Sequence, residues 1–483
     1  MRFDLFHGLA VPKFMGYSER DVHRQTLDEI ALADEAGFDG VWLVEHHFQP
    51  GLSHCPAPEV LFGAITQRTK RMRIGHGVVL LPFNHPLRVA ERVAALDILS
   101  DGRMDVGVGR GISPLEYDVF GGSMNESRGK VDEGVEIMRR AWGDAPFSFQ
   151  GEHWSFPEIE VVPKPVQKPP KLWTAAVSPE TFDMAAEQGL GVLGGPFKPL
   201  FMVAEDRERF VKRCGEVGRD HRELGFGMIV GAVVLDDHKR AMEVAEQNVR
   251  WYYEQLLQLT APVLERGGES YKYYREELGT LRALTGGSPS LEALMKAGMV
   301  VAGDPKHVIQ QLRTHVDHGV DHILLSLQAG GVPHEDVMRT IELFGEQVIP
   351  AMRGVAVADG PIRPKRGDMS IFVREAPALT PDLLFDSMPL VFRRDRANGL
   401  RALYQVDLLG ESGGTWWIDV ADGQCRVLRD QPDSDPDVRI RSDTETWLAL
   451  AKGDRNPAAA LLRRRLSIKG SPRKAAQFVG LFQ

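Results

Sequence analysis

The chain has 483 residues, 43% hydrophobic and 26% charged, a balance typical of folded globular proteins and far from collagen, coiled coils or disordered chains. Its 58 basic against 67 acidic residues leave a formal charge of −9, which argues against a surface built throughout to coat nucleic acid or acidic membrane. Cys55, Cys214 and Cys425 have no disulfide-framework or metal-ligand spacing, so no metal site is expected. No run approaches the roughly 20 apolar residues of a membrane helix, and the first residues do not read as a signal peptide, so a cytoplasmic location is expected.

In chain order, residues 2–8 read as a first strand. Residues 21–36 form an amphipathic helical pattern ending at Gly37, after which Val41-Trp42-Leu43-Val44 is an unbroken apolar run. The same unit recurs at 181–188 with Gly189 and Val192-Leu193, and at 307–318 with Gly319 and residues 322–327. Glycine just past a helix supplies a left-handed cap, and an apolar run without alternation suits a strand buried on both faces. Further strands are expected at 72–81, 103–108, 172–176 and 225–235, with helical patterns at 87–99, 129–142 and 239–258. Eight strands alternating with helices predict an α/β fold, a (β/α)8 TIM barrel, over residues 1–352. A doubly wound open sheet is disfavoured, because no GxGxxG follows the first strand.

Two insertions interrupt the alternation: residues 147–162 read as a hairpin and 262–303 as a long loop, a length that usually marks function or disorder. Residues 353–370, rich in Gly, Pro and Arg, read as a linker. Residues 371–483 then form a small α+β domain: helical at 381–392, strands at 401–409, 415–420 and 424–428, a segment at 435–441, and helices at 444–452 and 457–462. The last stretch carries Arg463, Arg464, Arg465, Lys469, Arg473 and Lys474 without an acid, read as a solvated helix face.

Catalytic groups of such a barrel belong at the C-terminal ends of its strands. Glu45-His46-His47-Phe48 follows strand two, and because neighbours on a strand point opposite ways, at most one histidine faces the mouth. The residues alone leave open whether that histidine is catalytic or merely packed. After strand four, Gly107-Val108-Gly109-Arg110-Gly111 combines close backbone approach with a guanidinium suited to phosphate. After strand five, Ser178 and Thr181 open a helix where an anion is stabilised, with simple capping by Ser178 as the alternative.

These residues resemble the luciferase-like flavin monooxygenases, in particular the alkanal-monooxygenase branch, over residues 1–352. The resemblance rests on Gly37-Phe38-Asp39, Val41 through Phe48, Leu81-Pro82, His85-Pro86, Leu99-Ser100-Asp101-Gly102-Arg103, Gly109-Arg110-Gly111, residues 163–170, Gly303-Asp304-Pro305 and Val348-Ile349-Pro350. It implies reduced FMN, supplied by a separate reductase, that reacts with oxygen to give a flavin 4a-hydroperoxide attacking a lipophilic carbonyl or related apolar substrate. By the same resemblance His46 is the catalytic histidine, and Arg110, Ser178 and Thr181 are phosphate ligands. Gly77-Val78 takes the position of a non-proline cis peptide beneath the flavin ring. Glu45, His47 and Glu116 are assigned to the substrate and lid side, and residues 262–303 correspond to a mobile lid. Two positions depart from the pattern: Gly109 replaces a reactive cysteine and Val177 a phosphate-binding glutamate. A deazaflavin-dependent oxidoreductase of the same superfamily, or a non-catalytic flavin or lipid carrier, is the alternative. By analogy a homodimer is expected, with no nucleic-acid partner.

The last domain resembles the sterol-carrier-protein type of lipid-binding domain, on Asp435 through Ile440, Trp447 with Leu450, Gly453 through Pro457 and Leu466 through Ser471. That resemblance implies an apolar tunnel, with Trp416, Trp417 and Phe478 as candidate walls and ordinary core as the competing reading of each.

Overall fold

A computed structural model describes residues 1–266, 271, 288–355 and 357, and residues 381–481 apart from 383, 386–387, 389–391, 393, 398, 411–412, 422–423, 433, 452–459 and 462. The chain divides into two compact units, Met1–Val373 and Arg374–Gln483. The linker expected at 353–370 falls almost wholly outside the described residues.

The first unit is a closed parallel barrel. Its strands are β1 (Arg2–His7), β2 (Gly40–Leu43), β3 (Arg73–Leu80) and β4 (Met104–Gly109), followed by the expected antiparallel hairpin of β5 (Phe147–Gln150) and β6 (Ser155–Ile159), then β7 (Lys171–Ala176), β8 (Gly191–Gly194), β9 (Phe226–Val234), β10 (Val300–Gly303) and β11 (His322–Ser326). The order β9-β11-β1-β2-β3-β4-β7-β8 closes through pairing of β8 with β9. Gly37, Gly189 and Gly319, which mark the repeated helix-to-strand unit, have φ of 94°, 68° and 82°. Only glycine adopts that left-handed region without cost, and each turns the chain from a helix into the next strand. The first helix, Glu19–Ala36, starts with a reciprocal capping box between Ser18 and Asp21.

The stretch 262–303 is not all loop, which corrects the reading from sequence. It holds a helix at Leu291–Lys296 and the strand β10, while residues 267–270 and 272–287 lie outside the described residues. The N-terminal half of β9 pairs with β11 and the C-terminal half with β10, so β10 is an extra strand beside the eight. Four apolar residues without alternation give too short a pattern to separate from loop.

Inside the barrel, the Asp4 carboxylate accepts hydrogen bonds from Arg2 Nε at 2.9 Å and Trp42 Nε1 at 2.7 Å, and lies 2.9 Å from His322 Nε2. Arg2 and His322 hold this carboxyl below its ordinary range despite burial. Trp173 packs edge-on against Trp42 at 5.3 Å, completing a layer that fills the lower barrel. Among the described residues, no helix is long and apolar enough to cross a membrane.

The second unit is a five-stranded sheet in the order β14-β13-β12-β15-β16. Its strands are β12 (Ala402–Leu409), β13 (Gly414–Ala421), β14 (Gln424–Leu428), β15 (Val438–Asp443) and β16 (Leu466–Gly470), and the described helices include Thr444–Ala451 and Pro472–Gly480. The basic tail is therefore not one helix face: Arg463, Arg464 and Arg465 form a turn, Lys469 lies on edge strand β16, and Arg473 and Lys474 open a helix. Lysine on an edge strand discourages further strand pairing, and β16 buries only Leu466, so its alternation was faint in the sequence. The helix expected at 457–462 lies mostly outside the described residues. Trp416 stacks on Phe385 at 4.5 Å, and Phe478 packs on Tyr404 at 4.8 Å in a common core. Trp417 is also buried but stands outside that cluster.

Candidate active site

At the C-terminal ends of the barrel strands lies a cleft with about 1350 Å³ of empty space, its open mouth included. Its walls are mainly apolar, among them Phe6, Leu52, Val78, Met184, Leu193 and Ile229. Of the residues singled out from sequence, Glu45, His46, Gly77, Val78, Arg110 and Thr181 line it. His47, Glu116 and Ser178 stand behind that wall and support the residues that do.

Past the end of β2, the two histidines part. His46 lines the cleft, and its Nδ1 lies 3.5 Å from Oε1 of the fully buried Glu116. The same Glu116 oxygen accepts the His47 N–H at 2.9 Å, while among the described residues Glu116 Oε2 and His46 Nδ1 have no hydrogen-bond partner. Glu116 is delivered by a short helix, Pro114–Phe120, whose first turn Ser113 caps by accepting the Glu116 N–H. His47 instead turns to Glu45, with Nε2 3.2 Å from Oε1. Glu45 further accepts the Leu80 N–H and the Asn84 amide, each at 2.9 Å, which ties β2 to the end of β3. Glu45 and Glu116 are thus both buried, Glu45 in the wall of the cleft and Glu116 behind His46.

The end of β3 carries a non-proline cis peptide at Gly77–Val78, where the resemblance places it. Opposite it on β4, a Cβ on Gly109 would come within 2.5 Å of Val78 Cγ2, and one on Gly107 would meet the His76 carbonyl oxygen. The two glycines let β4 pass beside this bond. A cysteine at 109 has no room unless Val78 moves.

Cationic groups gather at one end of the cleft. Arg110 lies under the ring of Tyr271, with its Cζ 4.4 Å from the centroid, and Tyr271 donates to the Gly111 carbonyl at 2.9 Å. Tyr117 donates to the Arg110 carbonyl, and burial beside Tyr271 pushes its phenol well above the ordinary range. Ser178 precedes the helix Pro179–Gln188 but makes no side-chain cap; its hydroxyl lies 3.0 Å from that of Thr181 instead. Two hydroxyls at a helix N-terminus are an arrangement that favours an anion. Arg128, on the helix Ser127–Ala141, also lines this end, and its charge helps lower the Glu180 carboxyl, after that residue's backbone and the Ser178 hydroxyl. Sequence reasoning missed Arg128, because only the packing of that helix beside β4 brings it to the cleft.

Comparisons with known proteins place the two units in families. The Luciferase-like monooxygenase family matches residues 1–322, and the SCP-2 sterol transfer family matches residues 391–483. The oxygenase component of the flavin-dependent trigonelline monooxygenase of Acinetobacter baylyi is 27% identical over 373 residues, covering 73% of this chain and 95% of that protein. The alkanal monooxygenase alpha chain of Photobacterium leiognathi is 25% identical over 346 residues, covering 70% and 96%. An F420-dependent glucose-6-phosphate dehydrogenase of Amycolatopsis mediterranei is 25% identical over 340 residues, covering 69% and 95%. Among solved structures, the monooxygenase RslO1 of Streptomyces bottropensis superposes with a TM-score of 0.60 at 27% identity, covering 72% of this chain and 99% of that one.

Proposed function

The chain belongs to the luciferase-like monooxygenase family of flavin-dependent monooxygenases and oxidoreductases, and from that premise we propose that its barrel oxygenates a lipophilic carbonyl or related apolar substrate with reduced FMN and O2. The observation that carries the reading is the convergence of His46, Gly77, Val78, Arg110 and Thr181 on one apolar cleft. The residues fit a flavin nucleotide. Arg110 and Arg128, with the Ser178 and Thr181 hydroxyls, would hold its phosphate, and the apolar wall that includes Gly77 and Val78 would face its ring. Bound reduced flavin supplies two electrons to O2, so that one oxygen atom enters the product and the other leaves as water.

The chain's own groups then have distinct tasks. The Glu116 carboxylate 3.5 Å behind Nδ1 would favour a proton on that nitrogen and leave Nε2 to hold or pass a proton in the cleft. Phe6, Leu52, Met184 and Leu193 exclude water and take up an apolar substrate, each buried methylene contributing about 0.8 kcal/mol. The flavin-dependent trigonelline relative supports a flavin and a monooxygenase reaction, and the F420-dependent relative keeps a deazaflavin as the second reading. The C-terminal unit, matching the SCP-2 family, would bind a lipid-like ligand and keep it at an effective concentration of about millimolar near the barrel. A diffusing flavin reductase and self-association belong to the same proposal.

The test is product labelling. With 18O2, reduced FMN and medium- to long-chain aldehydes, the carboxylic acid is expected to carry one labelled oxygen. Acid with no label, or no acid across the series, overturns the reading.

A further inference from the structure

β9 and β10 run parallel with Val234 opposite Gly303, and the Leu235 N–H donates to the Gly303 carbonyl at 3.2 Å where the two strands end. Each strand then turns into a helix, His238–Val244 after β9 and Pro305–Asp317 after β10. A histidine stands four residues beyond each member of that last pair, His238 after Val234 and His307 after Gly303. The matched turns bring the two rings together, with centroids 4.2 Å apart and planes inclined by 37°.

Asp304 completes the group. It caps the second helix by accepting the His307 N–H at 3.1 Å through Oδ1, and its Oδ2 lies 2.8 Å from His307 Nδ1. One ligand atom from each of His238, Asp304 and His307 falls within 4.8 Å of the other two. Helix capping accounts for the contact between Asp304 and His307. It does not account for His238, which is exposed, makes no hydrogen bond or ion pair among the described residues, and still packs against the His307 ring. Gly303 makes that approach possible. A Cβ there would come within 2.7 Å of His238 Nδ1 and 3.2 Å of His307 Cβ, and its φ of 136° is one that only glycine adopts without strain.

Two imidazoles and a carboxylate are the donor set of borderline transition metals such as zinc, whereas calcium and magnesium take oxygen ligands. Zinc lies about 2.0–2.2 Å from each ligand, so tetrahedral binding requires the three atoms to close to about 3.3 Å of one another. His238 and His307 are exposed on their turns, and rotation of the His238 side chain supplies the movement.

We infer that His238, Asp304 and His307 form a binding site for one zinc-class divalent ion, with water completing its coordination. None of the three lines the cleft. The ion would tie the turn after β9 to the turn after β10, the extra strand beside the eight, and so brace that edge of the sheet rather than take part in the barrel's reaction. Its ligands come from two turns far apart in the chain and include no cysteine, so no ligand spacing is visible in the sequence.

The test is calorimetric titration of zinc chloride into the full chain, free of any histidine tag, at about pH 7.5, where an ordinary imidazole is neutral. Magnesium and calcium chloride are titrated alongside. One equivalent of zinc is expected to bind with a micromolar dissociation constant, and neither of the other ions to compete. His238→Ala and His307→Ala should each weaken zinc binding by about tenfold or more, and Asp304→Asn, which keeps a helix cap, by a smaller factor. Zinc should also raise the urea unfolding midpoint of the wild type and leave that of His238→Ala unchanged, because an ion that binds only the folded chain stabilises it. His238 has no hydrogen bond to lose, so its variant keeps the test valid if His307→Ala does not fold. No saturable zinc binding, equal binding by wild type and His238→Ala, or calcium or magnesium binding as tightly as zinc would overturn the inference.

Discussion

His46 Nδ1 and Glu116 Oε1 lie 3.5 Å apart, with the carboxylate fully buried and the imidazole on the wall of the cleft. A carboxylate behind an imidazole favours the tautomer with its proton on the near nitrogen and keeps the far nitrogen available for chemistry. His46→Ala is therefore expected to lower turnover by about 10²–10⁴-fold while the FMN dissociation constant changes little. Glu116→Gln keeps an acceptor for the His47 N–H, so its fold survives, but turnover drops and the pH–rate profile shifts. Flavin fluorescence titration beside steady-state kinetics separates the two effects; a matching loss of flavin binding in His46→Ala would make that residue structural.

The phosphate end predicts a selective defect. Charge-assisted hydrogen bonds contribute about 1.5–3 kcal/mol, so Arg110→Ala and Arg128→Ala should each weaken FMN binding by roughly 10–100-fold. Riboflavin, which lacks the phosphate, should bind both variants about as well as it binds the wild type. Equal weakening toward both flavins would place these arginines elsewhere.

Gly109 answers to packing, since a Cβ there would come within 2.5 Å of Val78 Cγ2. Gly109→Ala and Gly109→Cys should each cost about 1–3 kcal/mol of stability in urea unfolding. They should also weaken flavin binding, because Val78 lines the cleft and must move. An unchanged midpoint would show that β3 and β4 can separate freely.

His76 sets a pH dependence. It is fully buried against Phe62, and burial pushes its imidazole down to about 4 from 6.5, with Glu59 opposing weakly. Between these values the unfolded chain binds the proton and the folded chain does not. Its contribution is thus complete above pH 6.5 and is lost as pH falls toward 4, by roughly 3 kcal/mol in all. His76→Phe should flatten the acid limb of urea-measured stability in that window. A parallel curve for the variant would assign the acid limb to other groups.

Removing the second unit at Arg374 tests delivery. The kcat/KM for long-chain substrates should fall while that for short, water-soluble aldehydes stays within about twofold. Unchanged values for both would separate the SCP-2-type unit from catalysis.

The barrel was readable because buried parallel strands write continuous apolar runs, and glycine caps such as Gly37 and Gly319 mark each return into the sheet. His46 and Arg110 were readable because a barrel places chemistry where strands end. Arg128 was not, since no local pattern ties the Ser127–Ala141 helix to the mouth of the cleft. The Glu116 carboxylate that accepts the His47 N–H and faces the His46 ring lies 69 residues beyond His47 in the chain, out of reach of any local pattern. β10 and β16 were lost for opposite reasons: one is a four-residue buried run, the other a charged edge strand with a single buried residue.

The most direct measurement is oxygen uptake in the presence of a long-chain aldehyde, with chemically reduced FMN and reduced F420 supplied in parallel. Aldehyde-dependent consumption with FMN alone, abolished in His46→Ala, is the predicted result. Aldehyde-dependent oxidation of reduced F420 without oxygen uptake, or no response to aldehyde with either cofactor, would contradict the assignment of this cleft to oxygenation.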